Sequence, residues 1–282
     1  MLMPALSRLR PFAALAATGL ALAACDREET PPPASPAEPA AAPPAAAPAP
    51  VLTPALDREG LLEALAQAAS AYAAGAAAEG QDALVGRQFS IRSAFGCAGP
   101  DPRPAEAAEA TGDGLARWSR DETRQTIRLT LNPGDWSDSA LVAGATDGRW
   151  EAVEGFWIPR PWMTGDGCPG IRPDPLAGPA TPSPQTAGLA AVFESGGSRL
   201  GRRNGRAYSY TVRGEGDAPP ARPADGWRVL MEGRFVAFPD GRAIRCRAAG
   251  PDQRPVCVAA VQMDRVAFLT ADGATLGEWR TG

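Results

Sequence analysis

The apolar positions of this chain change their period from one stretch to the next. From Phe12 to Ala24 they run almost unbroken, after a start that carries Arg8 and Arg10. From Leu56 to about Glu79, Leu61, Leu65, Ala68 and Tyr72 recur at four, three and four residues. That spacing predicts an amphipathic helix. Thr53 before Pro54, or Asp57, is placed to cap its start, while Gly75 and Gly80 erode its end. Beyond it the period becomes two. Phe89 and Ile91 alternate with Ser90 and Arg92, and Ile127, Leu129 and Leu131 alternate with Arg128 and Thr130. These are half-buried strands. Leu115 to Ser119 is the expected hairpin partner of the second, and residues 150–158 form a further strand.

Short strands are then predicted at 188–194, 206–213, 227–238, 242–248, 255–261, 265–270 and 275–280. Asn204-Gly205, Asp240-Gly241 and Asp272-Gly273 supply tight-turn chemistry between them. The fold class that follows is mainly β, an antiparallel meander closing as a small barrel or sandwich, with one N-terminal amphipathic helix.

Two proline tracts punctuate the pattern. Residues 31–50 hold nine prolines and nine alanines, with only Ser35 and Glu38 besides. Such a tract has nothing to bury and is expected as a disordered, extended tether reaching ~60 Å at ~3.1 Å per residue. Five prolines between 173 and 184 mark either a domain division or a surface connection. The expected organisation is a signal at 1–24, a linker at 25–55, a helix-plus-β module at 56–172, a connection at 173–187 and an all-β module at 188–282.

The opening run is too short to span a bilayer. Its thirteen residues reach ~20 Å as a helix, against a hydrocarbon core of about 30 Å. A charged start, a short apolar middle and small residues at the close are the pattern of a secretory signal. The run ends on Leu22-Ala23-Ala24-Cys25, which resembles the lipobox of bacterial lipoprotein precursors. The resemblance implies a diacylglyceryl thioether on Cys25, cleavage just before it, and a mature protein moored by acyl chains to a membrane of the cell envelope, facing the periplasm. Ala21-Leu22-Ala23 also fits the cleavage site of an ordinary signal. Asp26 resembles the inner-membrane retention signal of enteric bacteria, a rule other bacteria do not all follow, so the choice of membrane stays open.

Composition narrows the chemistry. All 28 basic residues are arginine, and histidine is absent. With Arg8 and Arg10 removed, 26 arginines face 32 acids, a net charge of −6. An acidic exported chain is a poor match for nucleic acid. Without histidine or lysine there is no Ser-His-Asp triad, Schiff base, Ser-Lys dyad or Walker-type loop. No cofactor or metal is expected, since the cysteines lack Cys-x-x-Cys spacing. Setting Cys25 aside leaves Cys97, Cys168, Cys246 and Cys257. An even number in an oxidising compartment argues for two disulfides. Of three connectivities, Cys246–Cys257 with Cys97–Cys168 is favoured, because the first pair flanks one hairpin.

The remaining candidates each have a plainer reading. Phe156, Trp157 and Trp162 form the densest aromatic group, a ligand platform or core packing. Arg199, Arg202, Arg203 and Arg206 surround the Asn204-Gly205 turn as an anion clasp or a solvated tip. Asp121, Glu122, Glu151 and Glu154 are acids of the type glycosidases pair, without a motif around them. The leading expectation is a non-enzymatic, membrane-anchored binding or structural module whose partner is an envelope protein or glycan. A carboxylate-dependent hydrolase of envelope glycans, or an inhibitor of one, is the alternative. Replacing Cys25 by Ala should abolish acyl labelling and release the protein from membranes; labelling that persists would remove the anchor.

Overall fold

The computed structural model describes residues 53–76, 82–102, 112–142, 150–169, 185–194, 206–214 and 218–281. The expected export signal, Cys25, the expected tether at 31–50, the 173–184 tract and the segment from Gly196 through Arg199, Arg202 and Arg203 to Gly205 lie outside those residues. The described chain is mainly β, with a single helix.

Helix α1 (Arg58–Ala73) opens on Asp57, whose side-chain oxygen accepts from the Gly60 amide at 2.9 Å. Gly75, at φ 64°, follows its end. Leu61, Leu62 and Leu65 are its buried face. The apolar stripe does not stay buried to Tyr72, which is 45% exposed.

Eleven strands follow: β1 (Gln88–Phe95), β2 (Ala116–Asp121), β3 (Thr126–Leu131), β4 (Gly134–Asp135), β5 (Trp150–Trp157), β6 (Ala187–Glu194), β7 (Tyr208–Arg213), β8 (Trp227–Phe235), β9 (Ile244–Arg247), β10 (Val256–Leu269) and β11 (Thr275–Arg280). Eight of them make one sheet along the path β1-β8-β10-β6-β5-β4, with β9 and β11 also paired to β10. The other three, β2-β3-β7, make a smaller sheet. Trp118, Ile127, Leu129 and Tyr208 from the small sheet share one core with Phe89, Phe156, Met231 and Phe268 from the large one.

A simple meander is interrupted at β10. Val261 pairs with Ala191 of β6 on one side and Phe235 of β8 on the other. Ala259 sits between Leu189 of β6 and Ile244 of β9, and Arg265 between Glu232 of β8 and Arg280 of β11. So β9 and β8 lie end to end along one flank of β10, with β6 and β11 along the other. The β6 pairing is parallel.

The apolar parity of β10 changes along its length. Cys257, Ala259, Val261 and Met263 face the main core, then Val266 and Phe268 do. Asp264 is the extra residue, without a ladder partner on β8 between Met263↔Gly233 and Arg265↔Glu232. This is a β-bulge, which lets a strand change parity without turning its core face outward. Gly233 stands opposite because a Cβ there would lie 2.1 Å from the Gln262 carbonyl oxygen.

Both favoured disulfides are present, Cys97–Cys168 with Cα atoms 5.6 Å apart and Cys246–Cys257 at 4.1 Å. Cys246 and Cys257 are direct cross-strand partners. The Cys257 amide donates to Thr186 on the β6 side, so towards β9 the two cysteines form the close, non-hydrogen-bonded kind of pair. The proposed separation into modules at 56–172 and 188–282 does not describe the strands. All eight residues of β1 pair with β8, and β3 pairs with β7, so each sheet draws on both segments. Residues 51–282 form one compact unit.

Deleting Asp264 should abolish the fold, because Val266 and Phe268 would move to the outer face, whereas Asp264→Ala should cost about 1 kcal/mol or less. Near-UV circular dichroism of the two variants tests this; a deletion variant with a native spectrum would refute the parity argument.

Candidate functional site

Arg58 is the first residue of α1, where a cation opposes the helix dipole. It is also only 5% exposed. Its guanidinium donates to three backbone carbonyls of the segment after β5: Pro159 at 2.7 Å, Arg160 at 3.0 Å and Met163 at 3.1 Å. A fourth contact reaches the hydroxyl of Ser93 on β1 at 2.8 Å. The planar fork of an arginine suits this divergent set of acceptors. Burial, and then the nearby charge of Arg160, push the Arg58 pKa down to about 10, with Asp166 acting the other way. The group therefore stays protonated at neutral pH.

Arg58 thus holds the segment from Pro159 to Met163 in place. The Met163 amide donates to the Arg160 carbonyl, closing a turn. Arg160 has φ 51°, a left-handed conformation that costs a non-glycine residue roughly 1–2 kcal/mol. Its side chain donates to the Ala94 carbonyl at 2.6 Å. The Cys97–Cys168 disulfide ties the far end of the same segment to the chain just beyond β1. At its centre Trp162 is 59% exposed, against the usual tendency of tryptophan to hide most of its surface.

A cavity of about 300 Å³ opens beside this segment, within the size range of small-molecule sites. Phe95, Leu115, Leu131, Phe156, Val229 and Met231 give it an apolar lining, and Arg117, Arg160, Trp162 and Gln185 add polar or aromatic edges. Arg117 is already neutralised, held by Asp113 and by Asp101, the latter at 2.9 Å. Arg160 has no carboxylate partner among the described residues. Desolvation, then the charge of Arg228, lower its pKa.

The structure separates the expected aromatic platform. Phe156, Trp157 and Trp162 all border the cavity, but their rings do not make one surface. Phe156 is buried in the main core, its ring 6.3 Å from that of Tyr208. Trp157 belongs to the opposite face of the sheet, its ring 4.7 Å from Trp136. Adjacent residues of a strand point to opposite faces, so the pair Phe156-Trp157 splits between two cores. Trp162 alone keeps an exposed indole.

The acids do not gather either. Asp121 lies at the end of β2, where hydrogen bonds from the Arg124 amide and guanidinium hold its carboxyl below the usual range. Glu122 is in the adjoining turn, and Glu151 and Glu154 are on β5 in the other sheet, Glu154 buried and Glu151 exposed. None of the four borders the 300 Å³ cavity. In the Asp135–Ser139 segment, Asp135 accepts from the Ser137 amide, and Trp136 lies over Gly155 and Gly188, where Cβ atoms would collide with its ring. Among the described residues no group of three metal-ligating side chains occurs.

Sequence pattern did not bring Arg58, Arg160 or Gln185 forward. The one signal at Arg58 is its charge, on the wrong end of a helix. No protein-family model, curated protein or solved structure matches the chain.

Arg58→Met should lower stability by about 3 kcal/mol, since four acceptors lose their charged donor. Arg58→Lys should restore only part of it, and Trp162→Ala should change it by no more than about 0.5 kcal/mol. Urea midpoints check all three; a wild-type midpoint for Arg58→Met would show that the clasp does not hold the segment.

Proposed function

We propose that this is an envelope lipoprotein, anchored through Cys25, whose β module binds a ligand or partner at the cavity beside Trp162. The lipobox-like close of the opening segment supports the anchor. One observation carries the binding reading: an exposed indole stands on a backbone that Arg58, Arg160 and a disulfide hold still. A large aromatic side chain in water is costly unless something covers it, and rigid exposed tryptophans are what binding surfaces use as anchors. The segment also spends a buried cation and a left-handed arginine on its shape. Neither is needed for a surface loop with no task.

The proline-alanine tether fits the same picture, since ~60 Å of extended chain would carry such a module well clear of the membrane. The apolar lining with a few polar edges is a binding chemistry. It offers a shape and a charge to a ligand rather than a nucleophile or a pair of acids.

A photoreactive amino acid in place of Trp162, activated in living cells, should give a discrete cross-linked product that weakens when Arg58→Met is added. A smear indistinguishable from that of a photoreactive group at exposed Glu63 on α1 would leave a structural module without a binding face.

A further inference from the structure

The cavity beside Trp162 has a chemical bias that points to a ligand class. The two charged side chains that border it are both arginines, Arg117 and Arg160. Arg117 is satisfied by Asp101 and Asp113. The Arg160 guanidinium uses one Nη on the Ala94 carbonyl and makes no other hydrogen bond or ion pair among the described residues. A half-buried guanidinium with spare donors, bordering an apolar cavity, is a receptor for an anion that arrives with apolar surface attached.

Gln185 adds a second requirement. Its Oε1 is buried without a hydrogen-bond partner, and the residue borders the same cavity. A buried acceptor left unpaired costs free energy that a ligand donor would recover. The β5–β6 register relates the two groups. Trp157 pairs with Gly188, and the Ile158 amide donates to Ala187, so the chain leaving β5 towards Arg160 starts beside the chain that enters β6 from Gln185. The cation and the unpaired acceptor therefore come from the two chain segments that adjoin this end of the β5–β6 ladder, and both border the cavity. Phe95, Leu131, Phe156, Val229 and Met231 supply the apolar remainder.

We propose that this cavity takes an apolar carboxylic acid bearing an amide N–H, the chemistry of an N-acylated apolar amino acid or of a peptide chain ending in one. Arg160 holds the carboxylate, Gln185 accepts the N–H, and the side chain fills the apolar space. The assignment rests on the binding reading above and gives its ligand.

Titration of the mature protein with N-acetyl-L-phenylalanine, followed by Trp162 fluorescence and calorimetry, tests it. Saturable binding is expected. It should weaken about tenfold or more for the uncharged N-acetyl-phenylalaninamide and for Arg160→Gln, whose thermal midpoint is measured alongside. Gln185→Leu should weaken N-acetyl-L-phenylalanine several-fold but leave 3-phenylpropionate, which has no N–H, unchanged. A pentapeptide ending in phenylalanine separates the sources: tighter binding than the single residue assigns a chain terminus, weaker binding the free acid. Equal affinity for the acid and its amide, or for inorganic phosphate, overturns the proposal. If the acid does not bind while the cross-link at position 162 persists, the ligand class is wrong and the binding face stands; if both fail, neither survives.

Discussion

The structure depends on one strand with neighbours along both flanks. β10 runs fourteen residues and pairs with β6, β8, β9 and β11, so almost every backbone donor and acceptor it carries is used inside the protein. Both faces are also covered near its two ends, where Val258, Ala260, Ala267 and Leu269 are as buried as the core-facing set. Its length creates a geometric problem. Four separate partners must meet it in register. Asp264 resolves the change of parity between the two halves. Without that one extra residue, either Met263 or Val266 would face the wrong side.

Arg58 does for the segment after β5 what β10 does for the sheets. Burying a guanidinium is unfavourable, and carbonyl oxygens rather than a carboxylate receive it. Desolvation offsets part of the hydrogen bonding, so the arrangement contributes less than the sum of its bonds. What it secures is shape. Three carbonyls within five residues are drawn to one point, which bends the backbone from Pro159 to Met163 and leaves Trp162 outside. The left-handed Arg160 is a consequence of the same bend, and its side chain is thereby aimed back towards β1.

Much of the architecture was legible along the chain, because alternation is a local property. The parity of Ile127, Leu129 and Leu131 gives β3 its inward face, and Asp57 caps α1 with its own side chain. Cys246 and Cys257 face each other as cross-strand partners of one antiparallel hairpin, a pairing between segments close in sequence. The strands expected at 255–261 and 265–270 are one strand, β10, continued across the bulge at Asp264. The site was far less legible. Phe156, Trp157 and Trp162 are neighbours in sequence, yet the pleat sends the first two to opposite faces and the turn sends the third to solvent. Arg58 meets partners about a hundred positions away, a separation no periodicity encodes. Trp136 was unremarkable until Gly155 and Gly188 proved to be the bare backbone it lies on.

The sequence by itself determined that the chain is mainly β, roughly where most of its strands lie, that Cys246 and Cys257 flank one hairpin, and which catalytic chemistries lack their residues. Each of these follows from composition or from contacts between near neighbours. Only the tertiary structure decided that the β1–β8, β5–β6 and β3–β7 pairings join both halves of the chain into one pair of sheets, and that Arg160, Trp162 and Gln185 border a common space. Strand order and cavity walls are set by packing between distant segments, and the free energy that selects them is a sum over the whole core.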